Sequence, residues 1–282
     1  MPMVAVVGCG YWGKNLVRNF AELDALAAVV DPDPATAARE GEKYGVQALS
    51  YEDALAHPDV SGVAIAAPAE LHADLALKAF AAGKHVYVEK PLALTIAEGE
   101  KMKAAASEAG RVLMVGHLLQ YHPAFIALLG AVRDGVLGDL RYAYSNRLSL
   151  GKFRVEENAL WSFAPHDVSM LLALFGEEPE TVTGKGGAYV TPGIEDECRL
   201  DLTFAGGKRA HVFASWLHPF KEHRLVVVGD KAMAVFEDSA QGADKLRLYK
   251  HTIDASGHTP VPTKADAEPI PYGTDEPLRS EC

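Results

Sequence analysis

Gly8-Cys9-Gly10-Tyr11-Trp12-Gly13 follows an apolar run at residues 4–7 and precedes Leu16, Val17 and Phe20 at helical spacing. A G-x-G-x-x-G between a strand and a helix is the phosphate turn of a dinucleotide-binding domain. Gly8 permits the tight turn, Gly10 lets the backbone approach a pyrophosphate, and Gly13 lets the helix lie close to the strand. The helix N-terminus adds unsatisfied N–H groups and a partial positive charge for the phosphates, and Tyr11 and Trp12 are further cofactor-contacting candidates within the loop. Asp31 ends the second apolar run, where a carboxylate accepts hydrogen bonds from ribose hydroxyls and repels a 2′-phosphate. Pro32 and Asp33 follow with no adjacent arginine, so the expected cofactor is NAD, with NADP disfavoured. The other reading of Asp31 is a cap for the next helix, a role Asp33 can also fill. Glu89-Lys90-Pro91 closes another β-rich run, which puts Lys90 at the carboxyl end of a parallel strand, where open α/β sheets bind ligands. A solvated surface lysine is the alternative.

These residues need a doubly wound sheet to position them. Runs at 4–7, 26–30, 63–67, 85–89 and 112–115 alternate with helical stretches up to about Gly116, the pattern of a parallel α/β sheet. Thr95 with Glu98 forms a capping box, Ser50 with Asp53 resembles one, and Gly83 and Gly110 stand where helices end. A helix over 122–133 leads out, so the expected division is a Rossmann domain at 1–120 and a second domain at 121–282. Longer strands follow at 139–150, 180–190, 197–204, 208–216, 223–229, 231–237 and 245–250, with hairpins at 205–207 and Gly229-Asp230 and one helix at 165–175. This spacing predicts an α+β domain with a large, mainly antiparallel open sheet, expected to mediate homo-oligomers. Five prolines in residues 260–282 predict a loop or arm without a closing helix or strand, and a C-terminal truncation.

A chain of 282 residues exceeds the usual size of one core, so two domains are the natural expectation. Apolar residues at 49% and charged residues at 23% are the balance of a globular protein. A net charge of −11 argues against a nucleic-acid partner, whose phosphates need clustered cations. The early apolar run is short and has no basic leader, which predicts neither a signal peptide nor a membrane span. Cys9, Cys198 and Cys282 lack paired spacing, so neither a metal site nor a disulfide framework is expected, and a reducing, cytoplasmic location fits.

Three blocks, VAVVGCGYWGKN, AAPAELHADLALKAFAAGKHVYVEKPLA and WSFAPHDVSMLLALFG, in this order and spacing, resemble the Gfo/Idh/MocA family of glucose-fructose oxidoreductases and inositol dehydrogenases. The resemblance implies a Rossmann domain followed by an open-sheet α+β domain, NAD or NADP as cofactor, and sugars, cyclitols or sugar nucleotides as substrates. It also implies that Lys90 is the catalytic lysine, that Pro68 and His72 lie by the cofactor, and that His166 is the second catalytic residue; Glu89, beside Lys90, is a further cofactor-binding candidate. Many relatives carry an Asp one helical turn before the histidine, where this chain has Ser162. A hydroxyl can hydrogen-bond an imidazole but cannot stabilise an imidazolium as a carboxylate does.

Oxidising a secondary alcohol needs a base for the hydroxyl proton and a group that holds the developing alkoxide. Lys90 and His166 can divide these roles in either order. Pro165 suits a first helical turn, which predicts His166 near a helix N-terminus and neutral. Trp161, Ser162 and Asp167 are substrate-side candidates; for Trp161 and Asp167, core packing and helix stabilisation are the other readings. Arg147, Lys152 and Arg154 precede this block in an acidic chain, and such cations fit a nucleoside-diphosphate sugar, a solvated charged loop being the alternative. GYWGKN, LGKFR and ENALWSFAPHD together resemble members that oxidise carbon 3 of nucleotide-linked amino sugars, here a UDP-N-acetylamino sugar or its uronic acid. The competing readings are a free sugar or cyclitol dehydrogenase, an NAD-dependent glycoside hydrolase, and a non-catalytic dinucleotide-binding regulator.

Overall fold

The computed structural model describes residues 3–151, 153–155 and 157–282. The chain forms two compact units, one running to His117 and also including Glu276–Cys282, the other Leu118–Asp275. The first unit contains β1 (Met3–Val7), α1 (Gly13–Glu22), β2 (Leu26–Val30), α2 (Pro34–Tyr44), β3 (Gln47–Ala48), α3 (Tyr51–Ala56), β4 (Val60–Ile65), α4 (His72–Ala81), β5 (His85–Glu89), α5 (Ile96–Ala109) and β6 (Leu113–Gly116). Its sheet has the order β3-β2-β1-β4-β5-β6 with every pair parallel, the dinucleotide-binding arrangement. Central strands read as continuous apolar runs because helices cover both faces: Ala5, Val6, Val29, Val63, Ala64, Ile65 and Val88 are buried. The capping box of Thr95 and Glu98 starts α5, and Gly110 ends it in the left-handed conformation.

The second unit contains α6 (Pro123–Arg133), β7 (Leu140–Leu150), α7 (Ala159–Phe175), β8 (Thr181–Gly187), β9 (Glu197–Thr203), β10 (Arg209–Ser215), β11 (Leu217–Gly229), β12 (Met233–Glu237), β13 (Leu246–Tyr249), β14 (Thr252–Asp254), β15 (Val261–Thr263) and β16 (Ala267–Pro269). Eight strands form one sheet, β16-β13-β12-β11-β7-β10-β9-β8, antiparallel throughout except for β7 with β10. Phe125 and Leu128 of α6 and Met170, Leu171 and Leu174 of α7 pack with Leu202, Val212, Leu225 and Phe236 of the sheet. Tyr142 and Val182 are exposed.

Three expectations are corrected. The helix expected at 165–175 starts at Ala159, because Asn158 caps it by accepting the Trp161 N–H at 3.1 Å, and Pro165 lies inside it. β11 begins at Leu217 rather than 223; a register irregularity between Leu217 and Glu222 accommodates Pro219 and hid the alternation. The tail is not structureless. β14 pairs with β15, β16 joins the sheet edge, and a closing helix α8 (Pro277–Glu281) belongs to the first unit rather than to residues 121–282. Pro262 and Pro269 occupy exposed short strands and Pro277 the first turn of α8, where an N–H is not needed, while Pro260 and Pro271 lie between elements. Arg18 pairs with Glu276, Arg279 reaches Glu22 at 3.3 Å, and Leu278 and Glu281 are buried.

Candidate active site

The glycine loop has the shape a pyrophosphate requires. Gly8 has φ +89°, and a Cβ there would meet the Ala66 carbonyl oxygen at 2.8 Å. A Cβ on Gly13 would stand 1.7 Å from the Gly8 oxygen, whereas one on Gly10 would meet nothing within 4 Å. α1 begins without a side-chain cap or a first-turn acid, so its leading N–H groups are not answered by a side chain. Tyr11 is exposed, with Lys14 over its ring. Burial first, then the charge of Asp31, pushes the Cys9 thiol up to about 12, which leaves the loop cysteine un-ionised and unreactive at neutral pH.

Asp31 is fixed at the end of β2 by two backbone donors, Cys9 N–H at 2.7 Å and Asp33 N–H at 2.9 Å, and stays partly exposed. It does not cap α2. Asp33 does, accepting the Ala35 and Thr36 N–H groups. Gly10 and Asp31 together offer an open backbone and an anchored acceptor, so the residues present fit a nicotinamide dinucleotide.

At the carboxyl end of β5, Glu89 accepts the Trp12 indole N–H at 2.5 Å, the Tyr87 hydroxyl at 2.9 Å and the Lys90 backbone N–H at 3.3 Å. Glu89 thus ties the glycine loop to the strand that carries Lys90, which is half-buried. Its carboxylate is spent on the protein. His72 is buried, with Nδ1 2.8 Å from the Pro91 oxygen and Nε2 2.9 Å from the Ala67 oxygen, so it braces the turns after β4 and β5. Pro68 is exposed and precedes a short 3-10 turn.

Two residues near this cluster escaped the sequence reading. His117 follows Gly116 exactly as Lys90 follows Glu89, and Glu89 pairs with Gly116 across β5 and β6. Burial first, then the Lys90 cation, lowers the His117 pKa. Glu281 of α8 is held up to about 8 by burial and by Glu89, with Tyr87 opposing. The equal offset of Lys90 and His117 follows from β6 ending at Gly116, one residue past the apolar run at 112–115, and nothing in the sequence marked Glu281.

In the second unit His166 is the eighth residue of α7, not a first-turn residue, so the helix-dipole reason for a neutral imidazole lapses. Ser162 is buried one turn earlier, and Trp161 is exposed. Asp167 is fully buried and closes on Arg147: Nε to Oδ2 at 2.5 Å and Nη2 to Oδ1 at 3.2 Å. Ser145 also donates to Asp167. Arg147 Nη1 lies 3.2 Å from His223 Nδ1, which lies 3.8 Å from Asp238. Burial alone would raise Asp238, but His223, Lys245, Arg147 and His122 hold it well below the usual carboxylate range. Alternation along β7 turns Ala143, Ser145 and Arg147 to the buried side, and the spacing of Ala164, Asp167, Met170 and Leu171 turns Asp167 to the buried face of α7. Arg154 pairs with Glu157 at 3.1 Å. Lys152 lies outside the described residues. Among the described residues, no helix is long and apolar enough to cross a membrane, and no group of three metal-ligating side chains converges.

Residues 3–117 match the model of an oxidoreductase family with an NAD-binding Rossmann fold, and residues 125–235 match the GFO/IDH/MocA C-terminal domain. The chain is 31% identical over 265 residues to a 2,7-anhydro-N-acetylneuraminate hydratase of Escherichia coli K12, covering 88% of this chain and 70% of that protein. It is 31% identical over 211 residues to a UDP-N-acetylglucosamine 3-dehydrogenase of Acidithiobacillus ferrooxidans, covering 74% and 66%. It is 31% identical over 266 residues to an inositol 2-dehydrogenase of Ralstonia nicotianae, covering 89% and 78%. A solved structure of the Acidithiobacillus enzyme superposes with a TM-score of 0.82 at 26% identity, over 99% of this chain and 86% of that one. GenD2 from gentamicin A biosynthesis, in complex with NAD, superposes with a TM-score of 0.78 at 26% identity, over 84% and 72%.

Proposed function

The chain belongs to the GFO/IDH/MocA oxidoreductase family, and on that premise we propose that it uses NAD to oxidise the carbon 3 hydroxyl of a UDP-N-acetylamino sugar or its uronic acid. The observation that carries the NAD reading is the pairing of Gly10, open on its Cβ side, with Asp31, anchored by two backbone donors at the end of β2. An anchored carboxylate at that place accepts ribose hydroxyls and repels a phosphate. Likeness to the Acidithiobacillus dehydrogenase supports the sugar nucleotide.

When bound, NAD supplies the hydride acceptor. Lys90, at the ligand end of β5, holds the substrate hydroxyl and stabilises the alkoxide as the C–H bond breaks. His166 is assigned the hydroxyl proton, a task that requires only a neutral imidazole. Trp12 and Glu89 keep the glycine loop and the Lys90 strand in fixed relation. Arg147 and Asp167 enter as positioning residues for α7, since their charges are closed on each other. Recognition of a diphosphate then falls to Arg154, which would exchange Glu157 for phosphate, and to Lys152.

The commitment of Arg147 to Asp167 removes one expected phosphate ligand, and it favours a second reading, a free sugar or cyclitol dehydrogenase. A panel of UDP-N-acetylglucosamine, its uronic acid, free glucose and free inositol, each with NAD, separates the two. The proposal expects NADH only with the nucleotide sugars, competitive inhibition by UDP, and deuterium on carbon 3 after borodeuteride trapping. Efficient turnover of free inositol, insensitive to UDP, would replace it.

A further inference from the structure

We infer that His117 is a positioning residue for Lys90: a neutral imidazole that aims the Lys90 ammonium at the substrate hydroxyl and whose protonation switches that aim off. This rests on the reading of Lys90 as the residue that holds the hydroxyl.

β5 and β6 are parallel neighbours with Glu89 opposite Gly116, so the next residues, Lys90 and His117, leave the sheet side by side at its carboxyl end. Adjacent strands lie about 4.8 Å apart, well within the reach of a lysine chain toward an imidazole. The His117 N–H turns back to the Val115 oxygen at 2.8 Å, which ends the strand at that residue. Gly116 permits the approach, since a Cβ there would stand 2.5 Å from the Tyr87 hydroxyl and 3.1 Å from the Glu89 carboxyl. The backbone that carries His117 is therefore pressed against the residues that carry Lys90.

Among the described residues of this unit, the Lys90 cation acts on His117, Glu89 and Tyr87 lie against Gly116, and Glu281 in turn acts with Glu89 and Tyr87. Glu89 is engaged by Trp12, Tyr87 and the Lys90 N–H. Burial, and then the Lys90 cation, disfavour the imidazolium, so His117 is neutral at pH 7 and has an acceptor nitrogen for an ammonium N–H. Once protonated it has no acceptor and repels the ammonium. Because its pKa is depressed, this support is present at neutral pH and lost as pH falls through the depressed value.

The test is an NMR titration of the His117 imidazole, assigned by correlation to its own backbone, in wild-type protein and in Lys90→Met, without substrate. The expected result is a wild-type midpoint below the ordinary histidine range that rises by at least about half a pH unit in Lys90→Met. An unchanged midpoint overturns the inference. In turnover assays His117→Leu should lower kcat about tenfold with little change in KM. His117→Gln, which keeps an acceptor but does not titrate, should recover part of that loss and remove the acid limb of the kcat profile. An acid limb that persists in His117→Gln overturns the inference. An enzyme inactive on every sugar tested fails the reading of Lys90 while the titration still judges the coupling; an active enzyme with uncoupled titration fails this inference alone.

Discussion

The ligand end of the Rossmann sheet and the inner face of β7 both collect charged side chains and use them in opposite ways. Asp31 is held by two backbone donors yet stays partly exposed, and Gly10 faces open space. Arg147 and Asp167 are 7% and 0% exposed, and each satisfies the other. A ligand site needs groups that are fixed but still have hydrogen-bonding capacity to offer, and a buried bidentate pair has little left. Residue type therefore identifies a binding group less well than the face of the element on which it lies.

The contrast breaks first at the buried pair. Asp167→Ala leaves the Arg147 cation buried without its partner and should cost about 3–5 kcal/mol, read by denaturant unfolding. A loss under about 1 kcal/mol would mean that Arg147 is solvated and available to a substrate.

Two glycines sharpen the other side of the comparison. Gly13→Ala drives a Cβ to 1.7 Å from the Gly8 oxygen, so the loop must shift, at about 1–3 kcal/mol and with loss of NAD binding. Gly10→Ala meets no protein atom and should change stability by no more than about 0.5 kcal/mol while weakening NAD at least about tenfold. Equal NAD affinity in Gly10→Ala would show that the pyrophosphate does not pass there.

A local effect belongs to α8. The raised pKa of Glu281, from 4.5 to about 8, means that the folded unit binds a proton the unfolded segment has lost. The attachment of α8 is therefore fully supported below about pH 4.5 and weakens as pH rises toward 8, by no more than about tenfold per pH unit. Hydrogen exchange of residues 277–281 at pH 6 and pH 8 should show that loss, and Glu281→Gln should flatten it. Protection that rises with pH would reverse the sign.

Most of the first unit was legible because its strands are short, mainly apolar runs, helices α2 and α5 end at Gly45 and Gly110, and the strand–loop–helix order around Gly8–Gly13 leaves few alternatives. β3, two exposed residues long, has too little periodicity to read. Charge alone marks Arg147 as a phosphate ligand, whereas its place in the alternation Ala143, Ser145, Arg147 turns it inward onto Asp167. The start of α7 was lost because Pro165 looked like a first-turn proline, while the working cap, Asn158, stands seven residues earlier. His117 and Glu281 act through neighbours distant in sequence, Lys90 and Glu89, and only the register of β5 with β6 and the return of α8 bring them together.

Calorimetric titration of NAD and NADP into wild-type, Asp31→Ala and Asp167→Asn proteins bears most directly on the claim that the dinucleotide is held by the first unit's strand-end groups. NAD should bind at least about tenfold tighter than NADP to the wild type. Asp31→Ala should weaken NAD by about ten- to a hundredfold, as expected for lost hydrogen bonds to a charged acceptor, and narrow that preference, whereas Asp167→Asn should leave it intact. Equal or tighter binding of NADP by the wild type, or an unchanged preference in Asp31→Ala, would contradict the claim.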